Sequence, residues 1–172
     1  LAHTINDLIM KQQDPTIAPY AKEGEVSIRL STKAKSYDEA MSKMHITELE
    51  IHKRLGSYIY AEEDVELQQT MVEMMLQNKK TLSIAESCTG GLLGDIITSV
   101  SGSSGVFKGG IICYSNEWKH SLLKVPADML EGSTAAGAVS AEVAVLLAEQ
   151  MRRQANTTFA VSITGVAGPN ES

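Results

Sequence analysis

The second half of the chain alternates short apolar runs, which are typical of strands, with longer segments that have helical spacing. The elements are, in order, a strand over 81–85, a helix over 91–100, a strand over 105–114, a short helix, a helix over 141–154 and a strand over 158–164. Strands that alternate with helices along a chain usually form one sheet with helices on its faces. The pattern therefore predicts a layered α/β/α domain over residues 62–172, with at least part of its sheet parallel.

Three loops rich in small residues border these strands. Residues 83–91 (SIAESCTGG) lead from the first strand into a helix, residues 101–105 (SGSSG) precede the second strand, and residues 162–172 (SITGVAGPNES) follow the third. Ligands of α/β folds usually bind where strands end. The three loops therefore predict one site that is built from strand ends.

The first third of the chain predicts a smaller unit. Residues 1–13 read as the tail of a helix that ends in a Gln-Gln-Asp-Pro turn, where we expect a domain boundary. Residues 14–61 predict a small α+β domain with a half-buried strand over 25–34, a helix that begins with a capping box at Ser36, and a returning strand over 57–64.

Composition excludes several classes of protein. With 172 residues, 43% hydrophobic content and a 21% charged fraction, the chain is typical of a folded globular protein. No apolar run approaches the roughly 20 residues of a membrane helix, so the cytoplasm is the simplest location. A net charge of −6 argues against a protein that mainly binds a nucleic-acid backbone.

The cysteines and histidines do not predict a disulfide framework or a metal site. The chain has two cysteines, Cys88 and Cys113, too few for a disulfide framework. His45, Glu48 and His52 are better explained as a solvated helix face than as a metal site.

The loop at residues 85–91 (AESCTGG) has two interpretations. Its glycines open a helix, so main-chain N–H groups could bind an anion such as a nucleotide phosphate. Alternatively, the loop is a tight strand-to-helix connection in which Glu86 and Ser87 satisfy local donors. The spacing does not choose between the two.

Ser104 and Lys119 are the residues in which we expect the chemistry. A neutral lysine can take the proton of a serine, whose alkoxide then attacks a carbonyl. Free lysine has a pKa of about 10.4, so burial or a neighbouring cation would have to lower the pKa of Lys119. Tyr114 could orient or relay the proton. The alternatives are that Ser104 and Lys119 are ordinary surface residues, or that Cys88 is the nucleophile, whereas Cys113 reads as a core residue.

The strand between Ser104 and Tyr114 limits this pairing. A straight strand would hold its ends about 30 Å apart. We therefore predict a break or sharp bend at Gly109–Gly110 that brings Ser104 Oγ within about 6 Å of Lys119 Nζ. If the strand runs straight, a dimer mate supplies one of the two residues, or the nucleophile is another residue.

The loop that follows the last strand carries a further candidate. Thr164 ends the strand, and the chain then turns at Gly165 and Gly168, which leaves a hydroxyl and several N–H groups at the sheet edge. Contact with an oxyanion or a ribose is one interpretation, and an ordinary Gly-Pro exit loop is the other.

Five motifs occur in order over residues 80–172: AESCTGG, GSS-x-x-F, YSN-x-x-K, GAVS-x-E and ITG-x-AGP. In this order and spacing they resemble the C-terminal domain of the CinA (competence-damage-inducible) family, which is similar to stand-alone nicotinamide mononucleotide deamidases. Residues 62–172 would be the N-terminal part of that domain, because the family pattern continues beyond AGP. Residues 14–30 (DPTIAPYAKEGEVSIRL) resemble the middle segment of full-length CinA proteins.

The resemblance implies an amidohydrolase of pyridine-nucleotide salvage that converts nicotinamide mononucleotide to nicotinate mononucleotide and ammonia, without a metal or other cofactor. It implies that Ser104 is the nucleophile, Lys119 the general base and Tyr114 its partner. The implied substrate-binding residues are Glu86, Ser87, Thr89, Gly90, Thr164 and Gly165.

The resemblance also bears on partners. It implies nicotinamide mononucleotide or a related nucleotide as ligand. We expect a homodimer, while the lack of a long apolar run and the net charge of −6 argue against a membrane and against direct nucleic-acid contact. Residues 16–61 look faintly KH-like but lack a GxxG loop. The competing hypothesis is a nucleotide-binding or competence- and DNA-repair-associated interaction module without catalytic activity, which ammonia release would distinguish from the enzyme.

Overall fold

The structure is a computed structural model that describes residues 2–22, 24–132 and 135–168. The chain divides into two units, Leu1–Val65 and Glu66–Ser172. Within the described residues, no helix is both long enough and apolar enough to cross a membrane.

The first unit packs two helices against a two-stranded antiparallel sheet. Its elements are α1 (Ala2–Lys11), β1 (Thr16–Ala21), β2 (Val26–Ser31), α2 (Tyr37–Leu55) and a 3-10 turn (Gly56–Tyr58). The hydroxyl of Ser36 accepts a hydrogen bond from the main-chain N–H of Glu39 at 3.2 Å, which caps α2 as predicted. The buried core consists of Ile5, Ile17, Ile51 and Leu55.

This unit differs from the prediction in three places. Helix α1, which the sequence predicts to lie before a domain boundary, contributes the buried Ile5 to the core of the first unit, and Leu1 lies outside the described residues. The sequence pattern does not predict β1, because Pro19 interrupts it. A two-stranded sheet tolerates this proline, since both strands have an open edge. Residues 57–64 form no strand, because the chain leaves α2 through a 3-10 turn and then continues irregularly.

The second unit is a three-stranded parallel sheet with helices on both faces. Its elements are α3 (Leu67–Gln77), β3 (Leu82–Glu86), α4 (Leu92–Thr98), β4 (Phe107–Ile112), α5 (Asn116–Leu123), α6 (Ala127–Leu130), α7 (Ala141–Ala155) and β5 (Phe159–Ile163). The strand order is β4-β3-β5, and β3 pairs in parallel with both neighbours. The prediction of a layered α/β fold with a parallel sheet is confirmed.

Side chains alternate across the central strand β3, so each face of the sheet has its own apolar core. One core contains Val72, Met75, Leu82, Ile84, Ile97 and Val106. The other contains Ala85, Cys113, Leu123, Val125, Leu130, Val143, Leu147 and Met151. The same alternation directs Glu86 toward the face of α4 and directs Ser87 toward the face of α5 and α7.

Strand β4 has an irregularity at its glycines but does not fold back. Its register against β3 shifts by one residue between the pairs Leu82–Phe107 and Ser83–Gly109, and Gly109 has a φ of +127°. The strand then continues in register as far as Ile112. The predicted irregularity is therefore present as a bulge, whereas the predicted sharp bend is absent. Strand β4 still runs the full length of the sheet, from the amino ends to the carboxyl ends of the parallel strands.

Candidate active site

Lys119 of α5 is a buried lysine, with 2% of its surface exposed. Its Nζ lies 2.8 Å from the carbonyl oxygen of Cys113, 3.0 Å from that of Tyr114 and 3.1 Å from Ser87 Oγ. These two carbonyl groups follow β4, and Ser87 follows β3. The amine is therefore held at the carboxyl end of the parallel sheet.

Burial lowers the pKa of Lys119, because surroundings with little water disfavour the charged amine. The thiols of Cys113 and Cys88 act in the opposite direction, but burial has the larger influence. None of the three hydrogen-bond partners of Nζ is a carboxylate. Nζ donates to both carbonyl oxygens and to Ser87 Oγ; the neutral form of the amine would keep the two bonds to the carbonyl oxygens and leave a lone pair for the serine hydroxyl. These contacts hold a buried amine within hydrogen-bond distance of a serine hydroxyl.

Ser87 owes its position to the end of β3. It is 5% exposed, and its main-chain N–H donates to the carbonyl oxygen of Ile163 in β5 at 2.9 Å. Lys119 approaches from the neighbouring strand, because α5 begins just after β4 ends at the same edge of the sheet. The Ser87–Lys119 contact thus joins loops from two adjacent parallel strands, the usual place for a site in an α/β fold.

The carboxylate of Glu86 occupies the N-terminus of α4. It accepts hydrogen bonds from the N–H groups of Gly91, Leu93 and Gly94 at 3.1, 3.0 and 2.9 Å. Burial alone would raise the pKa of Glu86, but these hydrogen bonds and the nearby Thr89 hydroxyl hold it below its usual value. The buried Thr89 hydroxyl lies near this carboxylate without completing a hydrogen bond within the described residues. The structure favours the second interpretation of this loop, a tight strand-to-helix connection, because the side chain of Glu86 fills the position expected for a phosphate.

The loop after β5 packs against the Ser87 loop. A Cβ atom at Gly165 would lie 3.1 Å from Cys88 Sγ, so the two loops are in close contact. The hydroxyl of Thr164 donates to the carbonyl oxygen of Ala138 at 2.7 Å and is therefore engaged inside the protein. Pro169 of the ITG-x-AGP motif lies outside the described residues.

Two further predicted residues lie at the rim of the site. Tyr114 contacts Lys119 through its main-chain carbonyl, while its side chain is 66% exposed. Gly90 is exposed and has a φ of +60°, a conformation that glycine adopts without strain. Cys113 is fully buried, and burial raises the pKa of its thiol.

Ser104 lies at the opposite end of the sheet from Lys119. It belongs to a 3-10 turn, Ser103–Gly105, that precedes β4, where the N–H of Leu82 donates to the carbonyl oxygen of Val106 at 2.9 Å. The length of β3 separates this edge from Ser87, which amounts to about 16 Å at roughly 3.3 Å per residue. The structure therefore does not bring Ser104 and Lys119 together within one chain, because β4 continues through its glycines.

The sequence contained a signal for the observed pair. Parallel strands end at one edge of a sheet, so a lysine that follows one strand meets the residue that follows its neighbour. Lys119 follows the strand at 105–114, and Ser87 follows the strand at 81–85. The prediction placed Ser87 in the pocket but paired Lys119 with Ser104, which lies at the other end of β4.

Other polar clusters lie away from this site. In the first unit, Glu48, His52 and Glu62 each place one ligand-type atom within 4.8 Å of the others, and His45 Nδ1 lies 3.5 Å from a carboxylate oxygen of Glu48. All of these side chains are partly or largely exposed. In the second unit, a surface depression of about 510 Å³ lies between α5 and α7, and its lining does not include Ser87 or Lys119.

Comparison with known proteins agrees with a fold of this class and with the motifs. Residues 64–172 match the family described as the CinA C-terminal domain, and residues 1–61 match the damage-inducible protein CinA KH domain. The chain belongs to the CinA family.

Relatives and solved structures carry related names. The chain is 45% identical over 165 residues to a CinA-like protein of Dictyoglomus turgidum, which covers 96% of the chain and 39% of the relative. It is 42% identical over 170 residues to a CinA-like protein of Prochlorococcus marinus subsp. pastoris, with 99% and 38% covered. The chain thus spans about two fifths of the length of these relatives.

The structural similarity concerns part of the chain. The crystal structure of the competence/damage inducible protein CihA from Agrobacterium tumefaciens matches with a TM-score of 0.58 and 35% identity, over 61% of this chain and 62% of that one. A CinA superfamily protein from Escherichia coli matches with a TM-score of 0.56 and 27% identity, over 60% and 58% of the two chains.

Proposed function

We propose that the second unit contains the catalytic site of a Ser–Lys amidohydrolase, with Ser87 as nucleophile and Lys119 as general base. The observation that supports this most directly is the 3.1 Å contact between Ser87 Oγ and a buried amine that has no carboxylate partner among the described residues. A lysine that serves only structure usually pairs with an acid or keeps its charge in water. Lys119 does neither, and burial lowers its pKa toward the range in which an amine can accept a proton.

The reaction follows from these two groups. The neutral Lys119 amine takes the hydroxyl proton of Ser87, Oγ bonds to the carboxamide carbon, and the carbonyl π pair moves to oxygen. The tetrahedral intermediate collapses as the C–N bond breaks, and the Lys119 ammonium gives its proton to the departing nitrogen, which leaves as ammonia. Water then attacks the Ser87 ester while Lys119 takes its proton, and collapse returns a proton to Ser87 and releases the carboxylic acid.

The proposed substrate is nicotinamide mononucleotide, which follows from the resemblance to the deamidase family, and the products are nicotinate mononucleotide and ammonia. The carboxamide would lie at Ser87, with Thr89, Gly90, Thr164 and Gly165 around it and the exposed Tyr114 side chain at the rim. The phosphate would bind away from the N-terminus of α4, because Glu86 already occupies that position.

Ammonia release by the intact protein incubated with nicotinamide mononucleotide tests the activity. Acid quenching during turnover, followed by peptide mass spectrometry, tests the assignment. We expect a nicotinate ester of the mononucleotide on the peptide that contains Ser87. An ester on the Ser104 peptide would replace Ser87 as nucleophile and would require a second copy of the chain to bring Ser104 to Lys119. Binding of the mononucleotide without ammonia release would support the interaction-module hypothesis instead.

A further inference from the structure

The loop that carries Ser87 is a β-turn with two unused donors. The N–H of Gly90 donates to the carbonyl oxygen of Ser87 at 3.1 Å, which makes Cys88 and Thr89 the two central residues of the turn. Among the described residues, neither the N–H of Cys88 nor that of Thr89 has a hydrogen-bond acceptor. Cys88 and Thr89 are partly buried, so these two N–H groups are available to water or to a ligand.

These two donors are distinct from the N–H groups at the start of α4. Those at Gly91, Leu93 and Gly94 are already bonded to the carboxylate of Glu86. The N–H of Ser87 itself is bonded to Ile163. In the segment from Ser87 to the first turn of α4, the donors that remain for a ligand are therefore the two at the centre of the turn, directly after the proposed nucleophile.

We propose that the main-chain N–H groups of Cys88 and Thr89 form the oxyanion hole of the site, an inference that rests on Ser87 as the nucleophile. Attack by Ser87 Oγ converts a planar carbonyl into a tetrahedral centre with a negative oxygen, and donors next to the nucleophile stabilise that charge. The turn supplies these donors without a side chain. The site would accordingly take planar carboxamides and trigonal compounds that become tetrahedral and anionic on Ser87, such as arylboronic acids.

Pyridine-3-boronic acid is the probe that separates this inference from the proposed function. When Ser87 Oγ bonds to the trigonal boron, its proton passes to Lys119 Nζ, and boron keeps both hydroxyl groups and becomes a tetrahedral anion. Boron-11 NMR reports this change without turnover, and ¹⁵N-labelled intact protein reports the amide protons of Cys88 and Thr89. We expect a tetrahedral boron signal together with downfield shifts of those two amide protons, and neither change in Ser87→Ala.

The outcomes are distinguishable. A tetrahedral signal that depends on Ser87 but leaves both amide protons unshifted overturns the oxyanion hole and retains the nucleophile. Absence of a tetrahedral signal in the wild-type protein overturns both.

A matched pair of variants gives a second test. Cys88 occupies the first central position of the turn, where proline is well accommodated, so Cys88→Pro removes the N–H with little change of the turn. Cys88→Ala is the reference, because it removes the same thiol and keeps the N–H. We expect kcat of Cys88→Pro to be about 10²-fold to 10³-fold below that of Cys88→Ala, with a similar KM. Equal kcat values in two folded variants would contradict the role of this donor.

Discussion

The two edges of the parallel sheet in the second unit carry loops of similar composition but different physical character. At the carboxyl edge, the loop after β3 contains buried polar groups, Ser87 and Glu86, and it receives the amine of Lys119. At the amino edge, the loop before β4 contains Ser104, which is exposed, and glycines that allow close packing against α3. Small residues therefore have two uses here: at one edge they make room for polar chemistry, and at the other they make room for a neighbouring helix.

The difference also explains how the carboxyl ends of the strands hold a buried lysine. At the carboxyl edge, the main-chain carbonyl groups of Cys113 and Tyr114 satisfy two N–H groups of the amine. A buried amine without such acceptors would lose several kcal/mol of hydration. The carboxyl ends of parallel strands provide these acceptors together with the Ser87 hydroxyl.

The largest expected effect separates the two serines. Ser87→Ala in the intact protein should lower kcat/KM for amide hydrolysis by at least about 10³-fold, because no other hydroxyl contacts Lys119 in the described structure. Ser104→Ala, at the other edge, should stay within about threefold of the wild type. Ammonia release under saturating and limiting substrate measures both. The reverse ranking would mean that a second copy of the chain brings Ser104 to the site.

The second prediction concerns the protonation of Lys119. Lys119→Arg should lower kcat by at least about 10²-fold, because a guanidinium does not lose its proton at ordinary pH. In the wild type, kcat/KM should rise with pH through a single limb that reflects the lowered pKa of Lys119. A pH profile without this limb, or an arginine variant that keeps most of its activity, would show that a fixed positive charge is sufficient.

The lowered pKa of Lys119 also determines how the free energy of unfolding changes with pH. At pH values between the folded-state pKa of Lys119 and its unfolded-state pKa of about 10.4, the unfolded chain binds more protons at Lys119 than the folded chain does. The free energy of unfolding of the wild type should therefore rise with pH in this window relative to Lys119→Met. Parallel denaturation curves of the two proteins at several pH values measure the difference.

The third prediction compares two glycines of the β4 region. A Cβ atom at Gly110 would lie 2.3 Å from Ile84 Cγ1 and 2.9 Å from the main-chain oxygen of Ile84. Gly110→Ala should therefore lower the free energy of unfolding by about 3 kcal/mol, because a main chain in the central strand cannot move away easily. Gly105→Ala meets only Leu76 Cδ2, at 2.8 Å, and this side chain can rotate, so its cost should be about 1 kcal/mol or less. Equal costs would contradict this difference between a main-chain contact inside the sheet and a side-chain contact at the amino end of its strands.

The smallest expected effect tests the carboxylate at the start of α4. Glu86→Gln should lower the free energy of unfolding by about 1–2 kcal/mol, because an amide replaces one of the two accepting oxygens with a donor. The pKa of Glu86 is lower in the folded state, so this difference should be complete above pH of about 5 and should shrink as the pH falls through the folded-state pKa. Glu142→Gln, at an exposed position in α7, is the matched control and should change stability by less than about 0.5 kcal/mol.

Much of the second unit could be predicted because its strands are buried and bounded by glycine and polar turns. The strand at 81–85 and the helix at 141–154 both correspond closely to observed elements, β3 and α7. The first unit was harder, since Pro19 conceals a strand at a sheet edge and the spaced tyrosines in 57–64 suggest a strand where the chain makes a 3-10 turn. The local sequence pattern does not show which segments are available to pair as neighbouring strands.

The sequence predicted where the site lies, at the ends of strands, but not which serine contacts Lys119. The sequence predicted one site from three loops, with Ser87, Ser104, Lys119 and Thr164 together. The structure places Ser87, Lys119 and Thr164 after the carboxyl ends of the strands, and Ser104 before the amino end of β4. The pairing of Ser104 with Lys119 depended on whether β4 folds back at Gly109. A glycine with positive φ permits either a bulge or a reversal, and only the ladder with β3 selects the bulge.

The buried Glu86 makes the start of α4 independent of the ions in the surrounding solution. A helix end with open N–H groups gains stability from whichever anion is abundant, so sulfate, phosphate and chloride would each change its folding differently. Here the counter-charge is covalently attached and held at fixed distances. The N–H groups at the start of α4 therefore stay occupied when the buffer changes, and an anionic ligand gains no affinity from them.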